Sequence, residues 1–223
     1  MSGGSPRNSR RKEITHREMP VGKALEAASE LTQKMLTHEA RVNTRKRDGL
    51  GLVLKAAAFA AHKHRDQRRK DARATPYINH PIALAEVLQV DGGVTDPVVL
   101  AAALLHDTIE DTQTSYEELR GQFGDDVAAT VVELTDTKFL GKEARKRLQV
   151  AKAGKSSNAA KQVKLADKIC NLRDILASPP AGWSLARRQK YFDWAKDVVD
   201  EVRGVNLRLE RLFDRLYRKR PEQ

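Results

Sequence analysis

The residues best suited to chemistry lie together in Ala101–Thr112 (AAALLHDTIEDT), where an apolar helix runs into His106-Asp107 and then Glu110-Asp111. If the helix continues, Glu110 lies one turn beyond His106 and Asp111 one turn beyond Asp107. Carboxylates at the end of such a helix must be hydrated, paired or bound to a metal, because burying an unpaired charge costs too much free energy. The alternative is an ordinary polar helix terminus, which explains one His-Asp pair more easily than four titratable groups together.

Two further segments carry polar side chains that need an explanation. His80 lies immediately before a helix predicted to begin at Pro81, and taken alone it is more often a histidine at the surface or at the edge of the core. Asp167 and Asn171 lie one turn apart on the same face of a strongly apolar helix. Buried carboxylate and amide groups require partners, which for Asp167 means either a metal or a salt bridge with a lysine or arginine.

Two imidazoles and two carboxylates from these segments would form a mixed set of nitrogen and oxygen ligands. Such a set favours Mn²⁺, Fe²⁺ or Zn²⁺ over metals that prefer thiolates. It leaves coordination positions for water and for a phosphate oxygen. A metal in this setting activates water and neutralises phosphate charge, which is chemistry suited to hydrolysis of a phosphate ester.

The segments around these residues have the spacing of helices. Apolar residues repeat with a period close to 3.6 from Gly49 onward, and no segment alternates convincingly with period two. Asp96 with Pro97, and Ser115 with Glu118, are typical helix starts. The sequence therefore predicts an all-α fold, a helical bundle in a single domain. The predicted helices are Leu50–His64, Pro81–Val90, Val98–Asp107, Ser115–Gly124, Asp125–Thr135, one within Lys138–Ser157, Ala159–Leu176, and Ser184–Lys219 with a break at Gly204.

Residues 1–48 differ from the domain predicted over residues 49–223. Their first twenty residues are basic and nearly free of large apolar side chains, which is typical of a disordered tail, and Val21–Val42 has helical spacing with a thin apolar face. The tail lacks the hydrophobic segment of a secretory signal. Glu13 and Glu18 interrupt a start that otherwise resembles a mitochondrial transit peptide. We therefore predict an extension, partly disordered or helical, on a cytoplasmic protein.

Composition narrows the class of partner. The 223 residues include 41 lysines and arginines and 30 aspartates and glutamates, a formal charge of +11 that favours an anionic partner. Few aromatic residues accompany the basic ones, which argues against a stacking platform for nucleic acid. Cys170 is the only cysteine, which excludes a disulfide framework, and no apolar run reaches the roughly 20 residues that cross a bilayer. By charge alone a nucleic acid, a nucleotide and a membrane surface all qualify as partners, and we expect neither a membrane nor nucleic acid to be the primary target.

Several segments resemble known hydrolases. His80, His106-Asp107 and Asp167 match the ordered H…HD…D signature of the HD-domain metal-dependent phosphohydrolases. Five segments resemble the hydrolase domain of the RelA/SpoT family: RRKDARATPYINHP (Arg68–Pro81), ALLHDTIEDT (Ala103–Thr112), FGDDV (Phe123–Val127), KRLQV (Lys146–Val150) and VKLADKICNLRD (Val163–Asp174). Two further segments, GWS (Gly182–Ser184) and YFDWA (Tyr191–Ala195), resemble the stand-alone small alarmone hydrolases of the metazoan SpoT homologue type. The resemblance spans roughly residues 49 to 217 and implies an HD-domain helical bundle.

This resemblance implies hydrolysis of the 3′-pyrophosphate of the alarmones ppGpp and pppGpp, giving GDP or GTP and pyrophosphate. It assigns a Mn²⁺ ion to four ligands, His80, His106, Asp107 and Asp167. It also implies that Glu110 and Asp111 orient or deprotonate the attacking water. Substrate contacts are implied for Arg69, Lys70, Asn171, Trp183, Arg187 and Tyr191. Lys142 lies in a basic stretch where we predict contact with the distal phosphates, the alternative being a solvated charged face.

Two departures from the family pattern lie outside the proposed ligands. Asp71–Ala74 reads DARA where relatives often have a glycine before the Thr-Pro pair, so we expect a stiffer loop over the base. Cys170 stands where other members place His or Tyr.

The alternative enzyme is a broader nucleotide phosphohydrolase such as an NADPH 2′-phosphatase, which would release phosphate from NADPH. Outside enzymes, the alternative is a basic nucleic-acid-binding module, whose affinity would fall steeply with salt.

Overall fold

The computed structural model describes residues 30, 32–35, 48–136 and 139–222. The chain divides into two compact units, Met1–Arg45 and Lys46–Gln223. In the first unit, residues 30 and 32–35 are helical, and the rest of the helix predicted over Val21–Val42 lies outside the described residues. The predicted domain boundary between residues 48 and 49 stays a prediction.

The described part of the second unit is helical and contains no strand, which confirms the all-α prediction. An isolated antiparallel bridge joins Arg68 to Pro76 in the loop after the first helix. The helices are α1 (48–63), α2 (Asn79–Glu86) with a π-helical extension (Val87–Asp91), α3 (Pro97–Leu105), α4 (Thr108–Asp111), α5 (Tyr116–Phe123), α6 (Asp125–Leu134), α7 (Lys142–Ala153), α8 (Asn158–Ala177), α9 (Leu185–Asp200) and α10 (Leu207–Tyr217).

Local sequence signals explain most of these boundaries. The Asp96 carboxylate accepts a hydrogen bond from the Val98 backbone N–H at 2.9 Å, and the Ser115 hydroxyl accepts one from the Glu118 N–H at 3.1 Å. Both contacts satisfy N–H groups that a helix start leaves unpaired. The predicted break at Gly204 is confirmed, since its φ of 89° separates α9 from α10.

Two boundaries near the candidate site differ from the predictions. The helix predicted from Pro81 begins two residues earlier, at Asn79, so His80 lies inside the first turn of α2 and not before it. The helix that leads to His106 ends at Leu105, and Asp107 has φ and ψ of −101° and 0°, outside the helical region. The chain therefore turns at the His-Asp pair before α4 begins, so Glu110 and Asp111 belong to a separate helical turn.

The core is organised around α8, which packs against α2, α3, α6, α9 and α10. Its buried side chains join the larger of two hydrophobic clusters, while α1, α5 and α6 supply much of the smaller one. α3 contributes to both clusters, with Ala103 in the larger and Leu104 and Leu105 in the smaller. This packing fixes α2, the end of α3 and the middle of α8 against one another. Among the helices of the described segments, none is long and apolar enough to span a membrane.

Candidate active site

Three helices bring together three of the four predicted metal ligands. His80 comes from α2, His106 from the residue after α3, and Asp167 from α8, and one ligand atom of each lies within 4.8 Å of the others. His80 Nε2 is 3.1 Å from Asp167 Oδ1, and the centroids of the two imidazole rings are 5.4 Å apart. Both histidines are buried. Residues up to 87 positions apart in the chain therefore form one polar cluster in an otherwise apolar interior.

Asp107, the fourth predicted ligand, lies against this cluster. Its Oδ2 atom is 2.9 Å from His106 Nε2 and accepts a short hydrogen bond from the Tyr77 hydroxyl. The buried Tyr77 is a site residue that the sequence analysis missed. Its only signal was a position three residues before His80, within the segment that resembles the RelA/SpoT family.

Asp167 has three polar partners. Besides His80, the Lys168 ammonium lies 2.8 Å from Oδ2, and the Asn171 amide donates to Oδ1 at 2.6 Å. The salt bridge considered as an alternative for Asp167 is therefore present, together with the contacts to His80 and Asn171. Burial acts to raise the pKa of Asp167, but the Lys168 charge, the His80 contact and the His106 charge together outweigh burial and hold that pKa well below its usual range.

Electrostatics at His106 favour a positive charge in the cluster. Its Nδ1 lies 2.8 Å from the Ala103 carbonyl oxygen and donates to it, which directs Nε2 toward Asp107. Burial acts to lower the pKa of His106, but the Asp107 carboxylate, the Asp167 charge and the Ala103 carbonyl together outweigh burial and raise this pKa to about 9. A proton and a divalent cation compete for such a nitrogen, so the negative charge that stabilises one stabilises the other.

The residues present fit a divalent metal ion. Imidazole nitrogens and carboxylate oxygens are ligands that Mn²⁺, Fe²⁺ and Zn²⁺ accept, and the cluster offers both kinds. In the described part of the chain, His80 Nδ1 is a buried nitrogen without a hydrogen-bond partner. The His80 ring faces Asp167 through its other nitrogen, Nε2, so the fit to a metal ion rests on the convergence of His80, His106 and Asp167.

The two acidic residues predicted as catalytic lie in α4. Glu110 is half-buried and accepts a hydrogen bond from the Asp136 backbone N–H at 3.2 Å. Its Oε1 atom lies 3.6 Å from Arg145 Nη1. Burial raises the pKa of Glu110 to about 6. Asp111 is more exposed, and its Oδ2 accepts a hydrogen bond from the Gln67 amide at 3.0 Å. The two carboxylates therefore have different environments and different hydrogen-bonding partners.

A cavity of about 740 Å³ adjoins the cluster and reaches it at His80. Arg69 has its guanidinium 5.8 Å from the centroid of the Tyr77 ring and forms an ion pair with Asp174. Tyr191 lies beside Trp183, with ring centroids 5.8 Å apart. The predicted site residues that line the cavity are Arg69, Lys70, His80, Asp111, Asn171, Trp183 and Tyr191.

The remaining predicted residues lie outside this lining. Arg187 stacks on the face of Trp183, with its guanidinium 4.4 Å from the ring centroid, so it supports the cavity wall from behind. Lys142 is the exposed first residue of α7, and its contact with distal phosphates stays a prediction. Glu110 also lies outside the lining, on the side of α4 that faces Asp136.

Comparison with known proteins identifies the family of the chain. Residues 56–192 match the HD domain family. The chain is 54% identical to the guanosine-3′,5′-bis(diphosphate) 3′-pyrophosphohydrolase MESH1 of Xenopus tropicalis over 166 residues, which cover 74% of this chain and 93% of that protein. The Homo sapiens protein of the same name is 54% identical over 168 residues, covering 75% and 94%. A solved structure, described as a metazoan ortholog of SpoT that hydrolyses ppGpp, is 49% identical with a TM-score of 0.74, covering 77% of this chain and 97% of that one.

Proposed function

Because the chain belongs to the HD-domain family, we propose that it is a metal-dependent hydrolase that removes the 3′-pyrophosphate of ppGpp and pppGpp, giving GDP or GTP and pyrophosphate. The relatives that share about half of its residues are named for this reaction. The observation that carries the proposal is the buried cluster of His80, His106 and Asp167, which opens at His80 onto a cavity large enough for a nucleotide.

Four residues would hold the divalent ion, which in this proposal is Mn²⁺: His80, His106, Asp107 and Asp167. When bound, such an ion acts as a Lewis acid that stabilises negative charge on the phosphoryl oxygens and makes water more acidic. Lys168 and Asn171 fix the Asp167 carboxylate, and the Ala103 carbonyl fixes the orientation of the His106 ring. Contacts of this kind hold ligands in place and tune their basicity.

Glu110 is suited to accept the proton of the attacking water. A general base works best when its pKa lies near the working pH, and burial brings that of Glu110 to about 6. At neutral pH it is therefore mostly ionised, yet more basic than an exposed carboxylate. Asp111, held by Gln67, orients the water from the cavity side.

The cavity wall supplies groups for each part of a guanine nucleotide. Arg69 lies near the Tyr77 ring and presents a planar guanidinium, which can stack on a purine or bind phosphate. Lys70 adds a second positive charge, and Asn171 offers an amide for the nucleoside. Trp183 adds an apolar ring to the lining, and Arg187 stacks on that ring from outside the lining.

The alternative substrate is NADPH, from which the same pocket would remove the 2′-phosphate. Both substrates are small anionic nucleotides, and the cations of the lining, Arg68, Arg69, Lys70 and Arg173, can bind the phosphates of either one. A cytoplasmic location accompanies the proposal as a prediction.

Incubation of the purified full chain with ppGpp and with NADPH, each with and without Mn²⁺, tests the proposal directly. We expect GDP and pyrophosphate from ppGpp only when Mn²⁺ is present, as measured by chromatography of the products. Phosphate released from NADPH, without turnover of ppGpp, would favour the alternative enzyme. Undiminished hydrolysis of ppGpp by metal-free protein would contradict the metal site.

Asp107→Ala tests the fourth ligand. Since Asp107 contacts His106 and Tyr77, its loss should remove bound Mn²⁺ and activity together. Metal content is measured by elemental analysis on the same samples as turnover. Asp126→Ala, an exposed aspartate in the first turn of α6, is the matched control and should keep both.

A further inference from the structure

A chain of three side chains links a buried histidine to the proposed catalytic pair. His64 Nδ1 lies 2.6 Å from Gln67 Oε1, and Gln67 Nε2 donates to Asp111 Oδ2 at 3.0 Å. His64 is only 1% exposed, whereas Gln67 and Asp111 both line the cavity. Gln67 therefore connects the protein interior to a carboxylate on the cavity wall.

The two hydrogen bonds that link His64, Gln67 and Asp111 have fixed donors and acceptors. Gln67 Oε1 can only accept, so His64 Nδ1 must carry a hydrogen and donate it. With its oxygen engaged by His64, the amide must present its NH₂ group to Asp111. A reversed amide would place its oxygen against the Asp111 carboxylate and its NH₂ against the ring N–H, and both contacts are repulsive. The Asp111 carboxylate can only accept, so it receives the NH₂ group of the Gln67 amide, and the Nδ1–H of His64 holds the amide oxygen at the other end.

Packing alone does not explain a histidine at position 64. Burial lowers the pKa of His64, so the ring is neutral with its hydrogen on Nδ1, and Nε2 is left as an acceptor. In the segments that the structure describes, this buried Nε2 has no hydrogen-bond partner. A phenyl ring would fill the same space beside Tyr77, whose ring centroid is 4.8 Å away, without burying an unsatisfied nitrogen. The useful atom of His64 is thus Nδ1, through its contact with Gln67.

We propose that Gln67 is a positioning residue for the Asp111 carboxylate, and that His64 acts through Gln67 by fixing its amide. The inference rests on the proposed function, since it requires Asp111 to take part in hydrolysis. A donor on Oδ2 fixes the plane of the carboxylate relative to the cavity. Neither Gln67 nor His64 belongs to the predicted metal ligands, so metal binding should not depend on them.

Two variants of similar size remove the contacts, His64→Phe and Gln67→Met. We expect kcat for ppGpp with Mn²⁺ to fall about 10- to 100-fold in each, because misplacing a catalytic group by a fraction of an ångström slows the chemical step. KM should change by less than about twofold, since the lost interaction positions a catalytic group and does not bind substrate. Bound Mn²⁺ should be unchanged, and the melting temperature of His64→Phe should be equal to or above that of the wild type.

A rescue variant and a double variant distinguish a positioning role of His64 and Gln67 from a purely structural one. His64→Asn places an amide N–H near the position of Nδ1 and should recover most of the lost kcat. The double variant His64→Phe with Gln67→Met should be no slower than Gln67→Met alone, because both changes break the same chain. His62→Phe is the matched control, since His62 is exposed in the last turn of α1, two residues before His64, and it should keep full activity.

The possible results either support or overturn the positioning role of Gln67 and His64. Wild-type kcat in both His64→Phe and Gln67→Met would overturn the positioning role alone. A loss of kcat that accompanies a lower melting temperature and is not rescued by His64→Asn would also overturn it, in favour of a structural role. Wild-type protein that hydrolyses neither ppGpp nor NADPH would overturn the proposed function, and the positioning role with it.

Discussion

Glu110 is the residue whose surroundings most clearly suit one chemical step. It is half-buried, accepts a backbone hydrogen bond from Asp136, and lies three residues after the ligand candidate Asp107. Glu110→Gln keeps the size and the acceptor oxygen but cannot take up a proton, so kcat should fall about 10²- to 10⁴-fold. Bound Mn²⁺, measured by elemental analysis, should stay at the wild-type level. Glu117→Gln, an exposed glutamate of α5, is the control, and full turnover by Glu110→Gln would exclude its role as base.

The raised pKa of Glu110 also predicts the pH dependence of the reaction. Burial raises this pKa to about 6, so acidification through pH 6 protonates Glu110 and removes the proton acceptor. We therefore expect kcat to fall below about pH 6. The Asp136 carboxylate contributes to the raised pKa, so Asp136→Asn should lower it and move the acidic limb to lower pH. Profiles of kcat against pH for the two proteins check this, and a limb that moves upward in Asp136→Asn would contradict the assignment.

At this scale, residue types and spacing predicted the cluster but not its surroundings. Asp167 stands out because it interrupts an apolar helical pattern, and His106 because it ends one, whereas His80 joins them through the resemblance to the HD-domain hydrolases. Tyr77 and Gln67 carry no such signal. Their site contacts, with Asp107 and Asp111, join residues 30 and 44 positions apart, and only the packing of the helices establishes them.

At the scale of elements, the loop between α1 and α2 bears the residue that departs from the family pattern. Ala74 has a φ of 48° and is the only non-glycine residue with positive φ in the described segments. This left-handed conformation costs alanine about 1–2 kcal/mol, whereas glycine adopts it freely. The Asp71 side chain holds the turn by accepting from the Thr75 N–H at 3.0 Å. The loop also carries Arg69 and Lys70 to the cavity.

Ala74→Gly should therefore stabilise the protein. Relief of the strained backbone outweighs the greater freedom of glycine in the unfolded chain, and we expect a gain of about 0.5–1 kcal/mol in the free energy of unfolding. Ala72→Gly is the matched control in the same turn. Ala72 has an ordinary φ, so its replacement should lower stability by up to about 1 kcal/mol. Urea titration of both variants checks the opposite signs, and a loss of stability in Ala74→Gly would show that the loop is not strained.

Helix boundaries were predictable where a side chain caps them and less so elsewhere. Asp96 and Ser115 begin α3 and α5 as predicted, since each accepts a backbone N–H. α2 begins after Ile78, which offers no capping side chain, and its start was therefore misplaced at Pro81. The turn at Asp107 follows a continuous apolar pattern, and no glycine or proline announces it.

At the scale of the molecule, the candidate metal site joins parts of the chain that are distant in sequence. Its ligand candidates come from α2, from the end of α3 and from α8, and α8 is the helix around which the core is arranged. An ion held between these helices adds a connection in the folded state that the unfolded chain lacks. Binding should therefore stabilise the whole domain by linkage.

The size of this stabilisation can be estimated. At a free Mn²⁺ concentration of about 100 times the dissociation constant, linkage contributes about 2.7 kcal/mol to the free energy of unfolding. For a chain of this length, 1 kcal/mol shifts the melting temperature by about 2–4 °C, so the expected shift is roughly 5–11 °C. Calorimetry of the full chain with excess Mn²⁺ and with a chelator measures it. His106→Ala should lose most of the shift, since it removes a ligand from the centre of the cluster, whereas His62→Ala on the exposed face of α1 should keep it. An equal shift in wild-type protein and His106→Ala would place the metal elsewhere, because the stabilisation would then not depend on the cluster that α2, α3 and α8 share.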